Sequence, residues 1–291
     1  MKRELTKAEG LSGVDMPHTE ETRTGSTAAL PRPNTASYGL FPFKWEQWLS
    51  WLVAIGLLLG WEYSAGQGWI SRLFFPAPSA IAHTLLAQLA NGELLSACLV
   101  TLFRLVCGLL LGGGLGLLLG LLLGWSAQLR RFFEPWVAAS HPIPKIAILP
   151  LFIILFGIGE TSKIMVIAAS AFFPMLVNTL AGVQQIPPSY FDVARNYGAS
   201  RQMLFIRVLV PGSLPSLLTG LRLALNTALL LTIAVELISA KDGLGAIVWM
   251  AWQTLRISEL YVALLVTALL GLSIAVLCGY LEKWLLPWQD R

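Results

Sequence analysis

Four ionisable residues sit inside stretches otherwise built of aliphatic side chains: Arg104 in LVTLFRLVCG, Lys145 in HPIPKIAILP, Arg222 in LTGLRLALN and Glu236 in LTIAVELIS. A charged group at the centre of a bilayer costs about 2.5–3.5 kcal/mol on insertion scales, so each requires a partner, a route to the interface or a solute. Three cations against one carboxylate, facing a water-filled route, would favour an anionic solute. Pairing inside a helix bundle accounts equally for Arg104 and Arg222, and snorkelling for Lys145. Asn178, Asn226, Thr227 and Thr232 are uncharged polar positions that either line the same route or bond across a helix interface. The candidate translocation set is therefore Arg104, Asn178, Arg222, Asn226, Thr227 and Glu236.

A second concentration of polar residues is YFDVARNYGASRQMLFIRVLVPGSLP, residues 190–215, a charged interruption between two apolar stretches. Other chemistries find no support. No GxxxxGK[ST] phosphate loop occurs, and LSGV at residues 11–14 lies in a polar tail without one. His18, His83 and His141 are scattered, there is no HExxH and no pair of catalytic carboxylates. Cys98, Cys107 and Cys278 lie in apolar stretches without CxxC or metal-ligand spacing and read as small core residues. No catalytic residue, metal site or bound cofactor is expected.

The composition explains why charge is scarce. Of 291 residues, 56% are hydrophobic and 12% charged, with mean hydropathy +0.69. Ordinary soluble domains carry about twice that charged fraction. A lipid solvent is the simpler account. Helical spans of about 20 apolar residues are expected near 46–66, 94–124, 133–157, 163–186, 213–240 and 258–286. Pro135, Pro142, Pro144 and Pro150 must bend the third. Residues 1–44 are too polar to bury a core and read as a disordered tail; they contain no apolar signal-peptide segment.

With the amino terminus in the cytoplasm, thirteen lysines and arginines fall on the inner side and four, Arg72, Lys163, Lys241 and Arg256, on the outer. The positive-inside rule therefore places both termini and the 190–215 segment in the cytoplasm. Trp45, Trp48, Trp51, Trp61, Trp69, Trp284 and Trp288 cluster near span ends, as interfacial anchors do. In the second span Gly108, Gly112, Gly116, Gly120 and Gly124 recur every fourth residue and draw one ridge along a helix. Such a ridge admits a neighbouring backbone, either as tight packing or as a surface for sliding. That span, about 46 Å long if straight, must tilt or protrude.

Local signals resolve the polar segment into two short helices. Pro187 and Pro188 end the fourth span, Ser189 is placed to cap a helix with Asp192 in a box-like position, and Gly198 supplies a left-handed stop. Ser200 starts a second helix that Pro211 closes, and Ser213 restarts the fifth span. Tyr190, Phe191, Ala194 and Tyr197 give the first helix an apolar face suited to a groove on another protein.

This segment resembles the EAA loop of the permease subunits of binding-protein-dependent ABC importers, whose pattern is E-A-A, three residues, Gly, nine residues, then I-x-L-P. Asp192, Val193 and Ala194 stand at the first three places, followed at matching spacing by Gly198, Val208, Val210 and Pro211. Asp for Glu keeps the charge and shortens the reach. HPIPKIAILPLFIILFGIGETSK (141–163) and KDGLGAIVWMA (241–251) resemble the corresponding regions of the aliphatic-sulfonate, taurine and nitrate permeases, the latter as an outer loop. The resemblance covers roughly residues 75–288.

It implies an all-α, six-helix type I importer permease fold. Residues 1–44 would be the cytoplasmic tail, 45–93 the first transmembrane helix with its periplasmic connection, and 94–288 the permease domain. Tyr190, Phe191, Asp192, Ala194, Arg195, Gly198 and Pro211 would couple to a pair of cytoplasmic ABC ATPases, which bind the ATP. A second permease copy, forming a homodimer, and an external solute-binding protein complete the implied assembly in the inner membrane. The solute would be an aliphatic sulfonate or taurine, with nitrate, bicarbonate or a thiamine precursor as alternatives; a secondary transporter is the remote rival.

Overall fold

The structure, a computed structural model, describes residues 45–239 and 241–287. The tail expected over 1–44, and Trp288, lie outside the described residues, as does the side chain of Trp45. Of the described residues, 45–53 fall outside the compact unit, which starts at Ala54.

Every regular element among the described residues is helical. Helix α1 is Trp45–Gly66, α2 is Pro78–Ala90, and α3 (Glu93–Gly108) continues through a π-turn, Leu109–Gly113, into α4 (Gly114–Trp125). After Ser126 follow α5 (Ala127–Ser140), a 3₁₀ turn at Lys145–Ile148, α6 (Leu149–Phe156) and α7 (Glu160–Gln184). Then come α8 (Pro188–Asn196), α9 (Arg201–Leu204), a second π-turn (Phe205–Leu209), α10 (Val210–Ser239), α11 (Leu244–Gln253) and α12 (Ile257–Leu285).

Among the described residues five helices are long and apolar enough to cross a membrane, and a sixth crossing requires α5 and the segment from Lys145 to Phe156 to act as one span despite a 90° bend. The bend has a covalent cause. Pro142 and Pro144 donate no N–H; His141, before Pro142, keeps helical angles (φ −59°, ψ −45°) as the cap of α5, and the chain turns extended at Pro144 (φ −62°, ψ 113°). Helix α5 carries Arg130, Arg131 and Glu134 and buries none of its side chains, whereas α6, LPLFIILF, is apolar throughout.

Helix α7 is the centre of the fold, and the glycine ridge is what lets the α3–α4 rod approach it. A Cβ on Gly112 would overlap the backbone carbonyl of Ala168; one on Gly116 would come within 2.5 Å of the Phe172 carbonyl, and one on Gly124 within 2.6 Å of Val183. The contacts climb both helices together, so the rod and α7 run parallel. On the opposite flank α10 runs antiparallel, with Gly220 against Asn178 and Gly182 against Ser216. Leu105, Ile167, Ala171, Met175, Leu217, Ala224 and Ala228 form the core where the three meet.

Three expectations change. Ser189 makes no cap: α8 starts on Pro188, two residues earlier than a Ser189 cap would set, with Pro187 at the N-cap, because proline's fixed φ suits the first helical position. Pro211 does not close the second short helix, since helix runs unbroken from Arg201 to Ser239. The π-turn just before Pro211 loosens the hydrogen-bond ladder where proline has no N–H to give. The stretch 241–251 is not simply a loop but mostly the short helix α11. Among the tryptophans, Trp69 and Trp284 are exposed, whereas Trp61 packs on Tyr261 with ring centroids 5.8 Å apart.

Candidate functional site

The elbow at one end of the bundle is built by backbone geometry. Ala199 N–H donates to the Ala194 carbonyl at 3.0 Å and Gly198 N–H to Arg195 at 2.8 Å, the paired bonds that terminate a helix through a left-handed residue. Gly198 supplies it, at φ +78°. Ser200 Oγ then accepts from Met203 N–H at 3.3 Å and opens α9. Phe191 packs on Leu121, Val183 and Leu209, and Phe205 meets Trp125 edge-on at 5.8 Å, which fastens the elbow to the ends of α4 and α7.

The apolar face of α8 therefore divides. Phe191 and Ala194 turn partly inward, while Tyr190, Val193 and Tyr197 are exposed by 62%, 55% and 89% and follow one another at helical spacing. Val193 is the member of that stripe not expected from the sequence. Asp192 and Arg195 form an exposed pair at 3.4 Å, worth little to stability. Behind α8 lies a cavity of about 510 Å³, lined by Gln185, Tyr190, Arg207 and Pro211 among others.

At the other end a charge cluster is sealed into the fold. Arg104 is fully buried and uses all five guanidinium donors. Nε and Nη2 grip both oxygens of Glu160 at 2.7 Å. Nη1 donates to Glu236 and to the Asp242 carbonyl, each at 2.8 Å, and Nη2 also donates to the Asp242 carboxylate. Glu236, equally buried, accepts further from Thr101 Oγ1 at 3.0 Å and from Gly245 N–H at 2.9 Å, while Leu244 N–H donates to Thr101 at 2.9 Å. The carboxylate thus caps the start of α11, where orphan N–H groups and the helix dipole favour negative charge. Gly243 and Gly245 leave the room: a Cβ on either would stand 2.5–2.6 Å from Glu236 atoms. Lys163 joins through Glu160 at 2.8 Å.

The other path candidates do not gather there. Arg222 pairs with Glu282 of α12 at 2.5 Å. Asn178 bonds back to the Pro174 carbonyl at 2.8 Å and packs on Gly220, Thr232 bonds within α10 to Ala228 at 2.8 Å, and Asn226 is exposed. Thr227 Oγ1 bonds within α10 to Leu223 at 3.0 Å and reaches the Ser170 carbonyl at 3.4 Å; that carbonyl is freed because Pro174, four residues on, has no N–H. Lys145 folds back onto the Ser140 and His141 carbonyls.

The picture of three cations facing one carboxylate is thereby replaced. Glu160 and Asp242 join Glu236 around Arg104, and Glu282 answers Arg222. Sequence reasoning missed Glu160, Asp242 and Thr101, although the acid of KDGLG stands directly before Gly243, which with Gly245 packs on Glu236.

Helices arranged in this order around α7 define a class, the type I ABC importer permease. Solved structures of the MetNI methionine ABC transporter in inward-facing conformations share the fold: one has TM-score 0.59 at 20% identity, covering 67% of this chain and 97% of that one, and another 0.58 at 21%, covering 64% and 93%. The profile of the binding-protein-dependent transport system inner membrane component family matches residues 112–290, and this chain belongs to that family. It is similar to the putative aliphatic sulfonates transport permease protein SsuC of Bacillus subtilis, 30% identical with 92% of this chain and 95% of the relative covered. It is also similar to the SsuC protein of Escherichia coli at 34%, covering 84% and 94%, and to the taurine transport system permease protein TauC of the same organism at 33%, covering 85% and 94%.

Proposed function

We propose that this chain is the permease of an ATP-driven importer for aliphatic sulfonates, with the elbow as the handle gripped by a cytoplasmic ATPase. The observation that carries the reading is the exposed stripe Tyr190, Val193 and Tyr197 on a helix otherwise locked to the bundle by Phe191. Such a surface gains most of its stabilisation by entering a groove on a partner. The chain contributes membrane path and coupling surface; the partner binds ATP, and no cofactor is assigned to this chain.

The rod from Arg201 to Ser239, 39 residues or about 58 Å, ties the elbow to Glu236. A push on the elbow by a closing ATPase therefore moves the opposite end of the same helix, where the Arg104 cluster links α3, α7, α10 and α11. Both termini lie in the cytoplasm in this arrangement, two copies of the chain pair as a homodimer, and an external binding protein delivers solute at the Arg104 end. The names of the relatives support a sulfonate, and the positive-inside distribution supports the orientation.

The test is uptake of labelled alkanesulfonates in cells expressing the chain with its own ATPase and binding protein, together with cross-linking from Val193→Cys. Capture of the ATPase subunit and ATP-dependent uptake are expected. A binding protein that ignores alkanesulfonates but takes taurine, nitrate or a formylaminopyrimidine would reassign the solute, and no cross-link to any ATPase would sink the coupling role.

A further inference from the structure

At the bend between α5 and α6 lies a cavity of about 530 Å³. Its walls are the bend itself, α7 through Ser170 and Phe173, and α10 through Thr227, Leu230 and Leu231. Its depth follows from helix rise. Ser170 and Phe173 are about 15 and 20 Å along α7 from Glu160, and Thr227 is about 18 Å along α10 from Ser239. All stand near the middle of the spans.

Lys145 is at the edge of this space. Its ammonium sits 4.3 Å from the centroid of the Phe173 ring and donates to the carbonyls of Ser140 and His141. No carboxylate pairs with it among the described residues, unlike Arg104 and Arg222. The His141 ring stands edge-on to Phe173 at 5.8 Å, and its nitrogens have no polar partner among the described residues. A cation without a counter-ion at this depth marks a functional position. The remaining walls are almost wholly aliphatic or aromatic, so the space presents one positive rim and an oily interior.

We propose that this cavity is the transit site for the solute, holding an alkanesulfonate with its headgroup at Lys145 and His141 and its chain along Phe173, Leu230 and Leu231. The assignment rests on the sulfonate reading above. The sulfonate replaces the missing counter-ion, and the chain replaces water or lipid against the apolar wall. Taurine fits less well, because its ammonium would find no carboxylate there. Nitrate gains nothing from the apolar half. The cavity thus selects within the anions, independently of the binding protein.

Equilibrium binding of radiolabelled alkanesulfonates to the purified complex of this chain with its ATPase, without binding protein, tests the site. Affinity should rise about fourfold per methylene from ethane- to hexanesulfonate. Lys145→Gln should weaken all of them about tenfold or more, with binding restored by Lys145→Arg. Leu231→Trp, which fills the apolar half and leaves the cation in place, should flatten the dependence on chain length. An unchanged chain-length profile in Leu231→Trp, in complexes that still co-purify with the ATPase, overturns the site alone. So does displacement of bound label by a zwitterionic lysolipid but not by unlabelled hexanesulfonate, which would assign the cavity to lipid. If cells expressing the whole system import no sulfonate, the proposed function falls and the site with it.

Discussion

Arg104 and Glu236 meet at 2.8 Å with neither side chain reaching solvent, and between them they join the third, seventh, tenth and eleventh helices. Desolvating two charges is tolerable only when the geometry satisfies both. Here the guanidinium spends every donor, and the carboxylate accepts from an arginine, a threonine and a helix start.

Breaking this pair from one side should be severe. Arg104→Met leaves Glu236 buried without its cation, and loss of one partner of a buried pair costs about 3–5 kcal/mol. Arg104→Lys should also destabilise, since a three-donor ammonium cannot reproduce the planar fork on Glu160. Thermal unfolding of the detergent-solubilised protein checks both. A melting temperature unchanged in Arg104→Lys would show that the fork geometry does not matter.

Neighbouring glycines should respond with opposite signs. Gly112→Ala drives a methyl into the Ala168 backbone, and overpacking of this kind costs about 1–3 kcal/mol. Gly114→Ala meets nothing within 4 Å and should gain up to about 1 kcal/mol from helix propensity. Equal effects in an unfolding assay would mean that the ridge is not a contact surface.

At the elbow, Gly198→Pro demands φ near −65° at a residue held at +78° and removes the N–H bonded to Arg195. Uptake should fall to background while the amount of protein in the membrane stays near wild type. Tyr197→Asp and Asp192→Lys should give the same separation without touching the backbone. Normal uptake in all three would remove the elbow from the coupling path.

Sidedness has a direct readout. In a background without Cys98, Cys107 and Cys278, Ile158→Cys at a 90% exposed position should react with an impermeant thiol reagent added outside intact cells. Val193→Cys should react only after the cells are opened. The reverse pattern would invert the topology.

Much of the elbow was legible because its instructions are local. Gly198 and Ser200 act through backbone preferences that reach only a few residues, and both perform the expected roles. Pro211 misled for the same reason: read locally it ends a helix, and only the π-turn five residues wide at Phe205–Leu209 shows how the helix passes through it. The glycine ridge was visible as a spacing, but that its partner is α7, running parallel, could not be read from the spacing.

The amino-acid order by itself determined a lipid-embedded helical bundle, its positively charged side and the break between its fourth and fifth spans, because hydropathy, charge bias and turn chemistry are properties of contiguous residues. Which charges answer one another was decided only by the tertiary structure. Arg104 stands 132 residues from Glu236 and 56 from Glu160. Coulombic partnership and donor geometry depend on distance in space, which chain separation on that scale leaves open until the helices have packed.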